Sequence, residues 1–342
     1  MKLKAPVIPD DDLDLPGPYD GAAGDDLWFL PEVPEESGPV LPTVPQGALV
    51  VPESWRAAEA GLAAELSDLA FDAGRLAERQ RAAGQGAVRR LALEEAAAFS
   101  WWTGDRIGAD RLALWLSYRI GAAEEGGEGL IRTAWAARRL MGPPSVEVAA
   151  MVGDLMGASG QSDRGFAADV AGALAGVAGL SAVTRGCAAF HLWRSLDERP
   201  DHLRELEAAV LGARMAGQGG LAFLPLALTG FGALTASGAV ERRLGPWVQG
   251  AHRAVLAALL SLERLTAWRR RAEAETADLT GRTPARLIAA LAAQPMLGAG
   301  QAGSETGASR AAVLRNLDLL VRRDLVQEVT GQGRFRVWAA RV

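Results

Sequence analysis

The chain has 342 residues, 49% of them apolar and 23% charged, with a formal net charge of −5. That length allows two domains and a sizeable core, and the balance is ordinary for a globular protein. A single cysteine, Cys187, excludes an internal disulfide framework and any multi-cysteine zinc site.

Residues 1–50 hold ten acidic side chains, two lysines and nine of the 17 prolines, a net charge of −8. Such a mixture buries too little apolar surface to offset chain entropy, so it reads as a disordered acidic, proline-rich leader. Its first twenty residues, "MKLKAPVIPDDDLDLPGPYD", lack the apolar run of a secretory signal. With the lone cysteine, this leads to an expectation of a soluble cytoplasmic protein. Leu27, Trp28, Phe29 and Leu30 are an exception within the leader. They form a short apolar cluster able to pack on the chain's own body or to dock a protein partner.

Residues 51–281 read as an irregular series of helices. Trp55, Leu62, Leu66, Leu69 and Leu76 keep helical spacing, and "VRRLALEEAAAFSWWTG" continues the pattern to Gly104. Asp110 is the expected N-cap of the next helix, and Gly142-Pro143-Pro144 ends the one after it. Ser145 is the expected cap of a further helix with Glu147 in its first turn. More helices are expected over 165–196, 201–216 and 246–275, the last opening on Pro246. The uncharged run from Met215 to Val240 is long enough to span a bilayer. Its glycines and Pro225 favour a buried core segment instead.

Residues 282–342 carry nine arginines and a net charge of +5. Thr283 before Pro284 is the expected cap of a helix burying Leu287, Ile288 and Leu291, which Pro295 ends. A short helix over 299–305 follows, then a turn. Ser309 caps a third helix whose Val313, Leu317, Leu320 and Val321 form an apolar stripe. Two strands about Thr330-Gly331-Gln332-Gly333 close the chain. The expected fold is therefore mainly α: an irregular helical domain followed by a small C-terminal winged helix-turn-helix with one β-hairpin. In that geometry the third helix enters the major groove. Arg310 and Arg315 can then contact guanine, Ser309 a phosphate, and Ala311 lies on the same row. Arg334 and Arg336 alternate on the wing strand and point to one face. Asp318 would repel phosphate, so only the first half of the helix is expected to touch DNA.

The tail "VTGQGRFRVWA", preceded by "GRTPARLIAALAAQPMLGAG", resembles a bacterial family of uncharacterised proteins with a C-terminal helix-turn-helix DNA-binding domain. The stretch "LALEEAAAFSWWTGDRIGADRLALWLSYRIG" is similar to that family's acidic, aromatic helix pair, so the likeness covers roughly residues 50–342. It implies a DNA-binding domain of unknown target and no chemistry. A weaker likeness links residues 51–281 to the Fic superfamily of nucleotidyl transferases. The glycine-rich anion cradle of that superfamily follows neither His191 nor His202, so the likeness implies a scaffold without the activity.

Cys187 and His191 stand one helical turn apart, but no orienting third residue accompanies them, and His191 reads as a core histidine. Glu94 and Glu95 read as a solvated or helix-pairing pair rather than as catalytic carboxylates. No catalytic residue, metal-ligand set or cofactor motif is singled out, and no membrane partner is expected. The function expected is a regulator of transcription or of a plasmid or other replicon that binds double-stranded DNA as a homodimer, held in part by the helix from Pro246. The alternatives are a subunit whose winged helix grips protein, or a dead Fic-like scaffold.

Overall fold

The computed structural model describes residues 50–118, 127–143, 147–156, 164–196, 201–331 and 336–342. The expected leader lies outside them except for Val50, which is buried. All described residues belong to one compact unit, Pro45–Val342.

That unit is mainly helical with a small three-stranded sheet. Its elements run α1 (Pro52–Gly61), α2 (Ala63–Ala83), α3 (Gln85–Trp102), α4 (Ala109–Tyr118), α5 (Gly127–Leu140), α6 (Val148–Met156) and α7 (Arg164–Ala175). They continue with α8 (Ala182–Leu196), α9 (Asp201–Ala216), α10 (Gly232–Thr235) and the 36-residue α11 (Val240–Glu275). The chain closes with α12 (Thr283–Ala293), β1 (Leu297–Gly298), α13 (Ala299–Thr306), α14 (Arg310–Arg322), β2 (Val326–Glu328) and β3 (Val337–Ala340).

The large core is built from Leu and Ala of α2, α3, α5, α8, α9 and α11 around Trp193, Trp247, Phe99, Phe190 and Phe223. The Ala- and Gly-rich composition lets helix backbones approach closely. A Cβ on Gly186 would stand 2.6 Å from the Gly212 carbonyl, and one on Gly212 would stand 2.8 Å from the Trp247 ring. Any larger residue at either place forces α8 and α9 apart.

The uncharged run from Met215 to Val240 is largely non-helical and folded into this core, with Leu221, Phe223, Leu224, Leu226 and Ala227 buried. Backbone without a helix needs another acceptor for its N–H groups, and Glu95 supplies one. Its Oε1 accepts from the Leu226 N–H at 2.6 Å and the Ala227 N–H at 2.9 Å. Glu95 is therefore no solvated partner of Glu94. It is fully buried, one turn from buried Leu91 and from buried Phe99. Glu94 is also covered, and it accepts from the Ser261 hydroxyl of α11. No helix among the described residues is long and apolar enough to cross a membrane.

Burial raises the Glu95 carboxyl from the ordinary 4.5 to about 8, against the pull of the backbone N–H groups of Leu226, Ala227 and Leu228. The folded state thus keeps a proton there that the unfolded chain releases near 4.5. This contribution to stability is complete below 4.5 and declines as pH rises through about 8, at up to ~1.4 kcal/mol per pH unit. Glu95→Gln keeps the acceptor and removes the proton. Urea unfolding at pH 5 and pH 8 is expected to show a fall in wild-type stability that the variant lacks.

Several helix ends differ from the sequence expectation. Asp110 lies inside α4, whose Leu112 N–H bonds back to the Gly108 carbonyl. Glu147 precedes α6, and its carbonyl accepts from Met151 N–H, whereas Ser145 lies outside the described residues. The stretch 165–196 is two helices, broken between Ala175 and Ala182. Pro246 lies within α11, which begins six residues earlier at Val240. Thr283 is the first helical residue of α12 and makes no side-chain cap.

A second, smaller core lies at the C-terminal end. Leu287, Ile288 and Leu291 of α12, Val313, Leu317 and Leu320 of α14, Leu297, Leu325, Val326 and Trp338 meet Leu265, Trp268 and Ala272 of α11. The end of α11 is thus part of this core, upstream of residue 282. The sheet has the order β1-β3-β2, all antiparallel, with Leu297 opposite Trp338 and Glu328 also opposite Trp338. The two-residue β1 was not anticipated. Its pairing gives the hairpin a third strand, which answers the marginal stability of a lone hairpin.

Candidate functional site

The C-terminal segment positions α14 from three sides. Gly307, with φ of 67°, turns the chain out of α13 in the left-handed region where glycine is unstrained. Arg286 of α12 donates to the Thr306 carbonyl at 2.7 Å and so caps the end of α13. Ser309 then caps α14, its Oγ accepting from the Ala312 N–H at 3.3 Å. That leaves the hydroxyl proton of Ser309 free to donate outward. At the far end, Asp324 takes a φ of 59°, and Leu325 N–H returns to the Leu320 carbonyl. Arg323 joins Asp278 there at 2.6 Å, which lowers the Asp278 carboxyl below its usual range.

The module is also fixed to the helical body. Arg90 of α3 donates to the carbonyls of Leu291, Ala292 and Gln294, where α12 ends. A half-buried cation at a helix C-terminus satisfies orphan carbonyls and meets the negative end of the dipole. Burial pulls this guanidinium down to about 10, with Glu94 opposing the shift, and it stays charged at neutral pH. Gly86 makes the approach close: a Cβ there would stand 2.4 Å from Ala293 Cα. Trp268 Nε1 donates to the Leu325 carbonyl at 2.8 Å.

On this frame Ser309, Arg310, Ala311 and Arg315 are all exposed along the leading half of α14. Arg310 and Arg315 make no hydrogen bond or ion pair among the described residues, nor does the exposed Arg322, the last residue of α14. Arg336 differs. It is half-buried, pairs with Asp318 at 3.4 Å, and places its guanidinium 4.9 Å from the Trp338 ring centre. Asp318, expected to face a ligand unfavourably, is thus held by the strand beside it. Arg334 lies outside the described residues, as do Gln332 and Gly333 of the hairpin turn. The start of that turn is held by Glu328, whose carboxylate accepts from the N–H groups of Thr330 and Gly331, each at 3.0 Å, and from the Thr330 hydroxyl. These bonds, that of the hydroxyl foremost, lower the Glu328 carboxyl below its ordinary value.

The arginine count overstated the outward charge. Arg286, Arg323, Arg336 and Arg341 are committed to Thr306, Asp278, Asp318 and Asp324, and Arg341 also gives its carbonyl to Arg271. Arg322 lies on the outward row with Ala311, Arg315 and Asp318, beyond the first half of the helix to which the sequence expectation confines DNA contact.

Elsewhere, Cys187 and His191 are both buried, and no hydrogen bond joins their side chains. Burial, aided by Arg243 and Arg194, lowers the imidazole to about 3, and burial pushes the thiol well above its usual value. Neither group is ionised at neutral pH, so the pair holds no thiolate. Among the described residues no three His, Cys, Asp or Glu side chains are grouped to hold a metal ion. A groove of about 300 Å³ between α2 and residues 216–221 is lined by Leu66, Ala73, Ala77 and Leu224, with Ser181 and Gln218 its polar side chains. Compared with known protein families and with curated proteins, the sequence matches none.

Proposed function

We propose that residues 282–342 form a winged helix-turn-helix that binds duplex DNA, with α14 as the recognition helix and β2–β3 as the wing. The protein then serves as a regulator of transcription or of a replicon. One observation carries this reading: Arg310 and Arg315 are exposed and unpaired on the leading half of a capped helix. An arginine in the first turn opposes the helix dipole and costs about 0.3–1 kcal/mol. A bound polyanion offsets that cost. The element order α12-β1-α13-α14-β2-β3 and the strand order β1-β3-β2 support the assignment, as does the likeness of the tail run "VTGQGRFRVWA".

Arg310 and Arg315 would offer forked donors to guanine edges, and Ser309 a hydroxyl to a phosphate beside the helix N-terminus. Arg322 would serve a flanking phosphate. Arg336 would act less as a free phosphate ligand than as a brace, since its guanidinium is shared by Asp318 and Trp338.

Duplex retention as a function of salt tests the reading. With Arg310, Arg315 and Arg322 as its three charges, affinity for random-sequence duplex should fall roughly fortyfold between 50 and 200 mM salt. A protein that retains no duplex even at low salt contradicts the proposal and favours a winged helix that grips protein.

A further inference from the structure

The outer face of α11 carries two large apolar side chains that no other described residue covers. Leu256 is 44% and Leu260 48% exposed, while the opposite face of the same helix is buried in the main core. Exposed positions recur along this face at Gln249, Arg253, Leu256, Leu260, Glu263 and Ala267, steps of four and three in alternation. That spacing is a seam for a second helix. Arg253 and Glu263 flank the leucines, and neither makes an ion pair or hydrogen bond among the described residues.

We propose that this face is the dyad interface of a homodimer in which two copies of α11 cross antiparallel, with the dyad between Leu256 and Leu260 at the level of the core residue Ala258. The register follows from the sequence of the seam. Centred on Ala258, each Leu256 meets the other copy's Leu260, each Arg253 meets the other copy's Glu263, and Gln249 meets Ala267. A two-fold axis makes every such contact occur twice, as a self-complementary patch requires. The competing arrangements fail on charge. A parallel pair sets Arg253 against Arg253 and Glu263 against Glu263. A shift of the antiparallel pair by one heptad sets Leu260 against Glu263 and Arg253 against Arg270.

The dimer would also space the two C-terminal segments. At 1.5 Å per residue the two Trp268 anchors stand about 30 Å apart along the axis, close to the ~34 Å between half-sites one helical turn apart. The interface itself does not rest on the duplex-binding reading.

Sedimentation of the full chain at micromolar concentration without DNA tests it, so its outcome is separate from that of the duplex assay. Wild type should sediment at twice the chain mass. Leu260→Glu should weaken the dimer by more than about a hundredfold, because each leucine is lost at two symmetric places. Arg253→Glu should weaken it about tenfold by facing Glu263, and Arg253→Glu with Glu263→Arg should restore it. The restoring pair guards against a variant that merely misfolds. A monomeric wild type, a Leu260→Glu dimer as tight as wild type, or a double variant no tighter than Arg253→Glu overturns the proposal.

Discussion

Arg310→Ala combined with Arg315→Ala is expected to leave the protein folded and to weaken its best duplex at least about thirtyfold, since a bidentate arginine–guanine contact contributes roughly 1–3 kcal/mol. Arg310 stands at the leading end of α14 and Arg315 five residues on, on the row of Ala311; both would meet the same duplex, so their losses need not add. Neither side chain touches another described residue through a hydrogen bond or ion pair. Thermal stability should therefore change by no more than about 0.5 kcal/mol. Removing Arg310 should even help slightly, because it relieves a cation at the positive end of α14. Discrimination is the sharper readout. A duplex enriched from a random pool by wild type should lose its advantage over random duplex when both arginines are gone. Unchanged preference in the double variant would remove α14 from the recognition role.

Much of the C-terminal segment was legible because its signals are local. Pro284, Pro295, Gly307 and Ser309 punctuate the helices, and the spacing of Val313, Leu317 and Leu320 sets the buried face of α14. What escaped depends on distant partners. β1 is two residues long, too short for any periodicity, and exists because Leu297 meets Trp338. Pro246 reads as a helix start, yet Val240 begins the helix, with Leu244 already buried in the core. Glu95 reads as half of a charged pair, although its spacing from Leu91 and Phe99 places it on the buried face of α3. Its acceptors' partners, Leu226 and Ala227, lie more than a hundred residues away. The basic charge of the tail was countable, but composition does not say which arginines are paired. Arg286 and Arg323 hold the module together, and Arg310, Arg315 and Arg322 are left to face outward.

Trp268→Ala should separate the module from the body without altering any outward arginine. The helix that carries Trp268 serves two cores: Ala258 and Leu262 belong to the large one, and Leu265, Trp268 and Ala272 to the small one. Trp268 is 2% exposed, and its Nε1 donates to the Leu325 carbonyl at the entry to β2. Truncating a buried tryptophan costs about 3–5 kcal/mol through lost transfer energy and the cavity left behind. In a core this small, that loss is a large share of what holds the sheet and α14 in place. Trp268→Phe keeps most of the apolar volume and loses mainly the hydrogen bond, about 1 kcal/mol. The Leu325 carbonyl would still accept from the Arg341 N–H. Local opening draws only on the stability of the part that opens. Proteolysis within 282–342 should therefore accelerate far more in the alanine variant than in the phenylalanine one, while the body resists in both. Duplex affinity should fall with the fraction of module opened. If the alanine variant is cleaved no faster than wild type, the end of α11 does not anchor the module, and the position of α14 must be set by Arg90 and Gly86 on α3 alone.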